Sequence, residues 1–244
     1  MKSYILKIEL EDSNPLIWRR VIMPADATFN RLHDTIQTVT NFQGGYPSEG
    51  YHLYEFELPG EDIRVTNDDE AYAEHKGYVE NKDFFRDRLK TVSMDMLAFE
   101  QRHQERLKIK VRKPSSIKIG EFLERHKEIR YNYDFGDNWW FTIRLEETVD
   151  DYHFGFPTLL DGRGTAPPED VGGLRGFYQF IEVYRNPSHP DYKETKAWAD
   201  AQRFEEFDEE KINEHLKWIN YQKTDWDKVD HDNYKIKKDK YRKK

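Results

Sequence analysis

The chain has 244 residues and a formal net charge of −8, with 36% hydrophobic, 35% charged and 15% aromatic residues. Because it contains no cysteine, disulfides, iron–sulfur clusters, thiolate zinc sites and cysteine nucleophiles are excluded, and a metal would need His and carboxylate ligands. No apolar run approaches the ~18 residues of a membrane span, and Met1 leads directly into a strand pattern, which predicts a cytoplasmic protein with no membrane partner.

The first predicted elements are a β-hairpin and a helix. Apolar and polar residues alternate from Tyr4 to Leu10, as in a half-buried strand, and Ile17 to Met23 is predicted to pair with it after a turn at Asn14-Pro15. Thr28 is a suitable N-cap for a helix over about 29–42. We expect this helix to pack on the hairpin.

The next part of the chain has a weaker pattern. Residues 52–58 alternate like a strand, whereas residues 59–83 are acidic and aperiodic, which predicts a loop. A helix is predicted over 94–106 and a short strand over 107–111. We interpret residues 59–115 as a charged, partly inserted segment.

The second half of the chain predicts another hairpin followed by helices. Strands over 129–133 and 139–145 are joined by the turn DFGDN, and an aromatic, Gly-rich loop is predicted over 152–172. Helices are predicted over 174–184, around Trp198 and over 211–219.

Together these elements predict an α+β fold in a single main domain. We assign residues 1–222 to this domain and residues 223–244 to a polar, charged C-terminal tail. No GxxxxGK[ST], GxSxG or HExxH pattern is present, so the enzyme classes with these fingerprints are set aside.

Three stretches together resemble the plasmid pRiA4b ORF-3-like family: NPLIWRRVIMPADATFNRLHDTIQ at 14–37, YNYDFGDNWWFTIRLEE at 131–147 and APPEDVGGLRGFYQFIE at 166–182. HPDYKETKAWAD and FDEEKINEHLKW resemble its closing helices, so the resemblance covers nearly the whole chain. It implies an α+β fold with a mixed or mostly antiparallel sheet packed against several helices. It also implies an association with bacterial and archaeal genomes and mobile elements, but no established activity.

The chain departs from the family pattern at two positions. Phe141 stands where the family usually has His, and Ala166 stands where it often has Cys before the PPED run. A chemistry that depended on those two side chains elsewhere in the family would be absent from this chain.

Two loops carry most of the candidate binding residues. The DFGD turn holds Asp134 and Asp137, whose carboxylates could converge on a divalent cation or instead accept backbone N–H groups of the turn. The PPEDVGG loop holds Glu169 and Asp170, which could serve the same site or cap the following helix. His52 is either a hydrogen-bonded core residue or, if it points at Asp134 or Glu169, a third ligand or general base. We expect the two loops to fold side by side; no cofactor is identified, and a divalent metal is the one that these residues would suit.

Two pairs of consecutive residues are predicted to divide between the faces of a strand. One of Trp139 and Trp140 should lie in the core and the other should offer a stacking surface, and we include Trp139 among the candidate binding residues. Arg19 and Arg20 should divide in the same way, and one of them is predicted to pair with a buried carboxylate.

Two functions remain open at this point. The first is a non-enzymatic binding or interaction module linked to mobile elements or nucleic acid, with nucleic acid bound through the basic stretch 86–130. The alternative is a divalent-metal-dependent hydrolase of phosphoesters, built around one ion by His52, Asp134, Asp137, Glu169 and Asp170. The distance between the carboxylates of Asp134 and Glu169 tests the second function. If they lie more than about 10 Å apart, they cannot share one ion.

Overall fold

An eight-stranded sheet organises the molecule, of which the computed structural model describes residues 1–42, 52–219 and 240–241. The strands are β1 (Ser3–Leu10), β2 (Trp18–Pro24), β3 (Tyr54–Glu57), β4 (Ile63–Thr66), β5 (Lys110–Arg112), β6 (Glu128–Tyr133), β7 (Trp139–Val149) and β8 (Thr158–Arg163). Their lateral order is β5-β4-β3-β6-β7-β1-β2-β8. β4 and β5 pair parallel, and the other neighbours pair antiparallel.

The helices pack around this sheet and complete the predicted α+β fold, which is confirmed. They are α1 (Phe29–Val39), α2 (Asp69–Glu80), α3 (Lys82–Thr91), α4 (Met94–Lys108), α5 (Leu123–His126), α6 (Gly173–Tyr184), α7 (Tyr192–Ala201) and α8 (Glu209–Leu216). None of these described helices is long and apolar enough to cross a membrane.

The opening hairpin and α1 form as predicted. β1 and β2 pair antiparallel, with Leu6 opposite Val21, and the hydroxyl of Thr28 accepts the backbone N–H of Arg31 as the N-cap of α1. Leu32 and Ile36 on the buried side of α1 belong to the main core. This packing fixes α1 over one face of the sheet.

The core under α1 is rich in aromatic rings. Phe29 packs edge-on against Phe56 with ring centroids 5.0 Å apart, and Phe56 contacts Tyr131 at 4.7 Å. Tyr133 and Trp139 are equally buried on the neighbouring strands. Offset aromatic pairs stabilise a fold by about 0.5 to 1.5 kcal/mol each beyond the area that they bury, so these contacts hold β3, β6 and β7 in a fixed register.

Arg19 ties the end of α1 to the loop that follows β8. Its side chain is buried, and its guanidinium donates to the carbonyl oxygens of Val39, Arg163 and Gly164 at 2.7, 3.0 and 2.9 Å. Burial lowers the pKa of Arg19 to about 9. Arg20 points to the opposite face, where its Nε atom bonds the carboxylate of Glu146 at 2.6 Å; this carboxylate is half-buried and not buried as predicted.

The prediction of a loop over residues 59–83 is wrong. This stretch contains β4 and α2, and it continues through α3 into α4. Neither α2 nor α3 has a buried residue. The sequence of these helices therefore lacks the regular spacing of apolar residues from which a helix is predicted. Local bonds hold the segment instead: Asp68 caps α2 by accepting from the N–H of Ala71, and His75 lies 2.8 Å from the carbonyl of Leu107.

The loop predicted over residues 152–172 also contains a strand, β8, which pairs antiparallel with β2. Asp161 and Gly162 interrupt its apolar pattern, which explains why the sequence did not reveal it. The side chain of Asn213 bonds both the N–H and the carbonyl of Leu159, and so fastens α8 to this edge strand. Of the proposed tail 223–244, residues 240–241 alone are described, and the remainder lies outside the described residues.

Candidate metal centre

The antiparallel pairing of β3 and β6 brings His52 next to Asp134. His52 precedes β3 and Asp134 follows β6, and the two strands are aligned so that Tyr54 lies opposite Tyr133. The backbone N–H of Asp134 donates to the carbonyl of Leu53 at 3.0 Å, which extends the ladder to this point. The Nδ1 atom of His52 lies 3.3 Å from Oδ1 of Asp134.

Asp134 has a role in its own turn as well. Its backbone has a positive φ of 53°, and its Oδ1 atom accepts the N–H of Gly136 at 3.0 Å, so the predicted turn bond is present. The side chain is 10% exposed. The same carboxylate therefore shapes the turn and faces His52.

Glu169 approaches His52 from the loop before α6. Its carboxylate is buried, with Oε1 accepting from the hydroxyl of Tyr133 at 2.8 Å and Oε2 lying 3.5 Å from Nε2 of His52. Burial, followed by the charge of Glu169, raises the pKa of Tyr133, so the phenol keeps the proton that it donates. Tyr133 is not among the residues that the sequence pattern singles out as a candidate, although its place two residues after the buried Tyr131 on one strand is a signal that it faces the same side.

Asp170 stands at the rim of the same cluster. Its Oδ1 atom lies 3.9 Å from Nε2 of His52, and its side chain is 61% exposed. The alternative role of Glu169 and Asp170 as helix caps is not found, because α6 has Gly172 at its N-cap and no side-chain capping bond. Both residues are directed to the centre instead of the helix.

The two loops lie side by side, as predicted. The Oδ2 atom of Asp137 accepts the N–H of Gly172 at 3.0 Å. Gly173 has a φ of 68°, and a Cβ atom there would lie 3.2 Å from the carbonyl oxygen of Asp137, so this close approach favours glycine. Asp137 thus joins the loops, and it is not a member of the described cluster of His52, Asp134 and Glu169.

Trp139 lies in the core, 1% exposed, with its ring 5.7 Å from that of Phe42. Trp139 therefore offers no stacking surface to a ligand in solution, and its inclusion among the candidate binding residues as a stacking residue was wrong. Trp140 is the outward-facing member of the pair, and the guanidinium of Arg130 lies 4.1 Å from its ring.

His52, Asp134 and Glu169 each offer one ligand atom, and these atoms lie within 4.8 Å of one another. Imidazole and carboxylate donors suit ions such as Mn²⁺ and Zn²⁺. The carboxylates of Asp134 and Glu169 are well within the 10 Å limit for sharing one ion. One ion can use only one ring nitrogen of His52, since the two nitrogens point in different directions.

The comparisons with known proteins agree with this fold. Residues 2–216 match the model of the family described as plasmid pRiA4b ORF-3-like protein. The chain is 28% identical to the uncharacterized protein y4hQ of Sinorhizobium fredii over 200 residues, which is 82% of each chain. It is similar to the crystal structure of MM3350, a protein of unknown function from Methanosarcina mazei Go1, with 27% identity, a TM-score of 0.57, and coverage of 86% of this chain and 96% of that one. The chain belongs to the plasmid pRiA4b ORF-3-like family.

Proposed function

We propose that this member of the plasmid pRiA4b ORF-3-like family binds one divalent metal ion through His52, Asp134 and Glu169 and uses it to hydrolyse phosphoesters. The supporting observation is the convergence of these three donors, from three separate segments of the chain, within 4.8 Å. An ion with ligand bonds of roughly 2.0 to 2.6 Å fits among atoms with this spacing after small side-chain shifts.

Electrostatics favours a cation at this place. Asp134 and Glu169 are both buried, and Asp170 adds a third carboxylate at the rim. Neither Asp134 nor Asp170 has a Lys or Arg partner among the described residues. Buried negative charges that lie close together are unfavourable unless a cation neutralises them, and a divalent ion does so with more charge than a protonated His52.

The donor set also suits hydrolysis. A divalent ion held by three protein ligands would leave positions open for a water and a phosphate oxygen, and it would make that water a stronger acid. Asp170 is exposed beside the centre and would accept the proton of that water. The water would supply the oxygen that bonds to phosphorus as the bond from phosphorus to the alcohol oxygen breaks, and Asp170 would return the proton to the leaving alcohol oxygen.

Calorimetric titration with Mn²⁺ tests the metal centre directly. We expect one Mn²⁺ per chain, and an affinity that falls at least about tenfold in Asp134→Asn and in Glu169→Gln. Asp191→Asn is the matched control, because Asp191 is an exposed aspartate outside the centre that should bind Mn²⁺ like the wild type. Absence of binding, or equal binding in all four proteins, would overturn the proposal. Hydrolysis of p-nitrophenyl phosphate that requires Mn²⁺ and is lost in Glu169→Gln tests the reaction.

The nucleic-acid binding module ranks second. It depends on the basic stretch 86–130, and several cations of that stretch are in ion pairs: Arg88 with Glu100, Lys113 with Asp69, and Arg130 with Glu11. Cations neutralised in this way release fewer counterions on binding a phosphate backbone. Salt-sensitive binding of duplex or single-stranded DNA at micromolar protein would favour this module, and its absence would remove it.

A further inference from the structure

A groove of about 550 Å³ lies between α2, α3 and α4, in a part of the chain that contributes no ligand to the metal centre. Its lining includes Glu74, Gly77, Phe84, Phe85, His103 and Leu107. The groove therefore belongs to the charged segment 59–115, to which the proposed function gives no role.

Exposed aromatic rings border this groove. Phe84 is 61% exposed and packs edge-on against Phe85, with ring centroids 5.5 Å apart. Phe99 is 55% exposed and stacks on the ring of His103 at 6.4 Å. Apolar residues scattered singly over a surface are ordinary, whereas rings that adjoin one another around a groove mark an interaction surface.

Gly77 keeps the groove open. It lies inside α2, where a glycine costs roughly 0.5 to 1 kcal/mol relative to alanine. A Cβ atom at this position would meet no other atom within 4 Å, so packing within the chain does not require the glycine. The surface therefore places an open hole at Gly77 beside a projecting ring at Phe84.

The helices that form the groove lack packing of their own. α2 has 12 residues and α3 has 10, and none of them is buried. Helices of this length are marginal in water unless one face packs against other structure. A partner over the groove would supply that packing, and the two helices nearly provide the roughly 20 to 30 residues that a stable interface uses on each side.

Many of the charged side chains on and beside these helices are already neutralised within the chain. The pairs are Lys76 with Glu80, Arg86 with Asp83, Lys90 with Asp87, Arg88 with Glu100, Lys108 with Glu105, and Lys113 with Asp69. These pairs leave a smaller set of charges for a partner.

The remaining charges have opposite signs on the two sides of the groove. Charged side chains of these helices without an ion pair among the described residues are Glu70 and Glu74 on α2, Lys82 on α3, and Asp95, Arg102 and Arg106 on α4. Asp95 lies in the first turn of α4, whereas His103 and the two arginines lie in its second half. The α2 rim is therefore acidic and the α4 rim is basic.

We propose that this groove is the interface of a homodimer, in which Phe84 of each copy inserts beside Gly77 of the other. A twofold axis brings the same patch of two copies together. If the axis runs along the groove, the acidic α2 rim of each copy faces the basic α4 rim of the other. A partner with a single sign of charge would match one rim and be repelled by the other, so a second copy fits this surface better.

Sedimentation equilibrium of the full chain tests the dimer. The wild type should have twice the 29.5 kDa mass of one chain at micromolar concentration, and Phe84→Asp should raise the dissociation constant at least about tenfold. Gly77→Gln fills the hole with a residue that favours helix, so it should weaken the dimer while the chain stays folded. Leu16→Asp is the control, because it changes an exposed apolar residue between β1 and β2 and should dimerise like the wild type.

A charge exchange tests the identity of the partner. Glu70→Lys with Glu74→Lys makes both rims basic, and Arg102→Glu with Arg106→Glu makes both rims acidic. Each double variant should be monomeric alone, and an equal mixture should form heterodimers, because unlike rims then meet on both sides.

Three results would overturn the proposal. One is a wild type that stays monomeric, whether the groove is open or filled by another segment or another protein. The second is a dimer that Phe84→Asp and Gly77→Gln leave intact, since the contact would then lie elsewhere. The third is a mixture of the two charge variants that does not associate.

Discussion

The carboxylate of Asp137 accepts the backbone N–H of Gly172 at 3.0 Å, and this bond joins the turn between β6 and β7 to the loop before α6. One loop carries Asp134 and the other carries Glu169. The distance between two proposed ligands therefore depends on a residue that is itself not directed at the ion.

Replacing Asp137 separates its joining role from a ligand role. Asp137→Ala should lower the free energy of unfolding by about 1 kcal/mol and weaken Mn²⁺ binding about tenfold, because the loops are no longer held together. Asp137→Asn keeps an oxygen acceptor for Gly172 and should stay close to the wild type. Urea unfolding and Mn²⁺ titration measure both effects. If the Asn variant loses as much affinity as the Ala variant, Asp137 is a ligand.

Tyr133 is expected to position Glu169. Tyr133→Phe removes the hydroxyl that donates to Oε1 of Glu169 and should cost about 1 to 3 kcal/mol of unfolding free energy. Without this bond to orient it, the carboxylate should also bind Mn²⁺ about tenfold more weakly. Tyr4→Phe is the control, since its hydroxyl bonds Glu124 away from the centre and should affect stability alone. A Tyr133→Phe protein with normal Mn²⁺ affinity would contradict the positioning role.

His33 should make stability depend on pH in the acid range. Burial lowers the pKa of His33 to about 3, from an ordinary value of 6.5 in the unfolded chain. Between these two values the unfolded chain binds more protons than the folded one, so stability falls as the pH falls from 6.5 towards 3. The fall attributable to His33 is at most about 1.4 kcal/mol per pH unit.

Urea unfolding of wild type and His33→Gln at about pH 7 and pH 5 measures this dependence. The wild type should lose more stability than the variant over that interval, because the variant lacks the titrating ring. Parallel losses in both proteins would show that His33 is not held neutral by the fold.

Arg19 is expected to contribute strongly to stability through its backbone bonds. Arg19→Met leaves the carbonyl oxygens of Val39 and Gly164 without this donor and should lower the free energy of unfolding by about 2 to 4 kcal/mol. Arg163→Met is the matched control, because that side chain is exposed on the neighbouring strand β8 and its loss should change stability by less than about 0.5 kcal/mol. Thermal or urea denaturation compares the two, and equal effects would contradict the role given to Arg19.

The sequence predicts the parts of the fold whose patterns arise from burial on one face. β1, β2, α1 and the hairpin of β6 and β7 alternate or repeat because one side of each packs into the main core. The prediction of a half-buried strand for β1 is wrong in one respect, since its other face is buried as well, with Ile5 in a second apolar cluster. α2 and α3 bury nothing and therefore leave no such pattern. The residue pattern of a single sequence therefore indicates elements that pack into the core more clearly than elements held by local hydrogen bonds.

The candidate site divides in a similar way. His52, Asp134 and Glu169 are identifiable because polar residues beside strand ends and in Gly-rich loops are unusual enough to be noticed. Tyr133 is not, since an aromatic residue on a buried strand is expected in any core. Its role depends on a hydrogen bond to a distant segment, which only the folded arrangement provides.

The three donors of the centre stand at positions 52, 134 and 169, so no short stretch of the unfolded chain carries them together. An ion that binds there binds the native state alone and stabilises it by RT ln(1 + [L]/Kd), about 2.7 kcal/mol when free ion exceeds Kd a hundredfold. The melting temperature of the protein would then rise with the concentration of the free ion. A cell starved of that ion would carry a pool of this protein that opens, and is degraded, more readily.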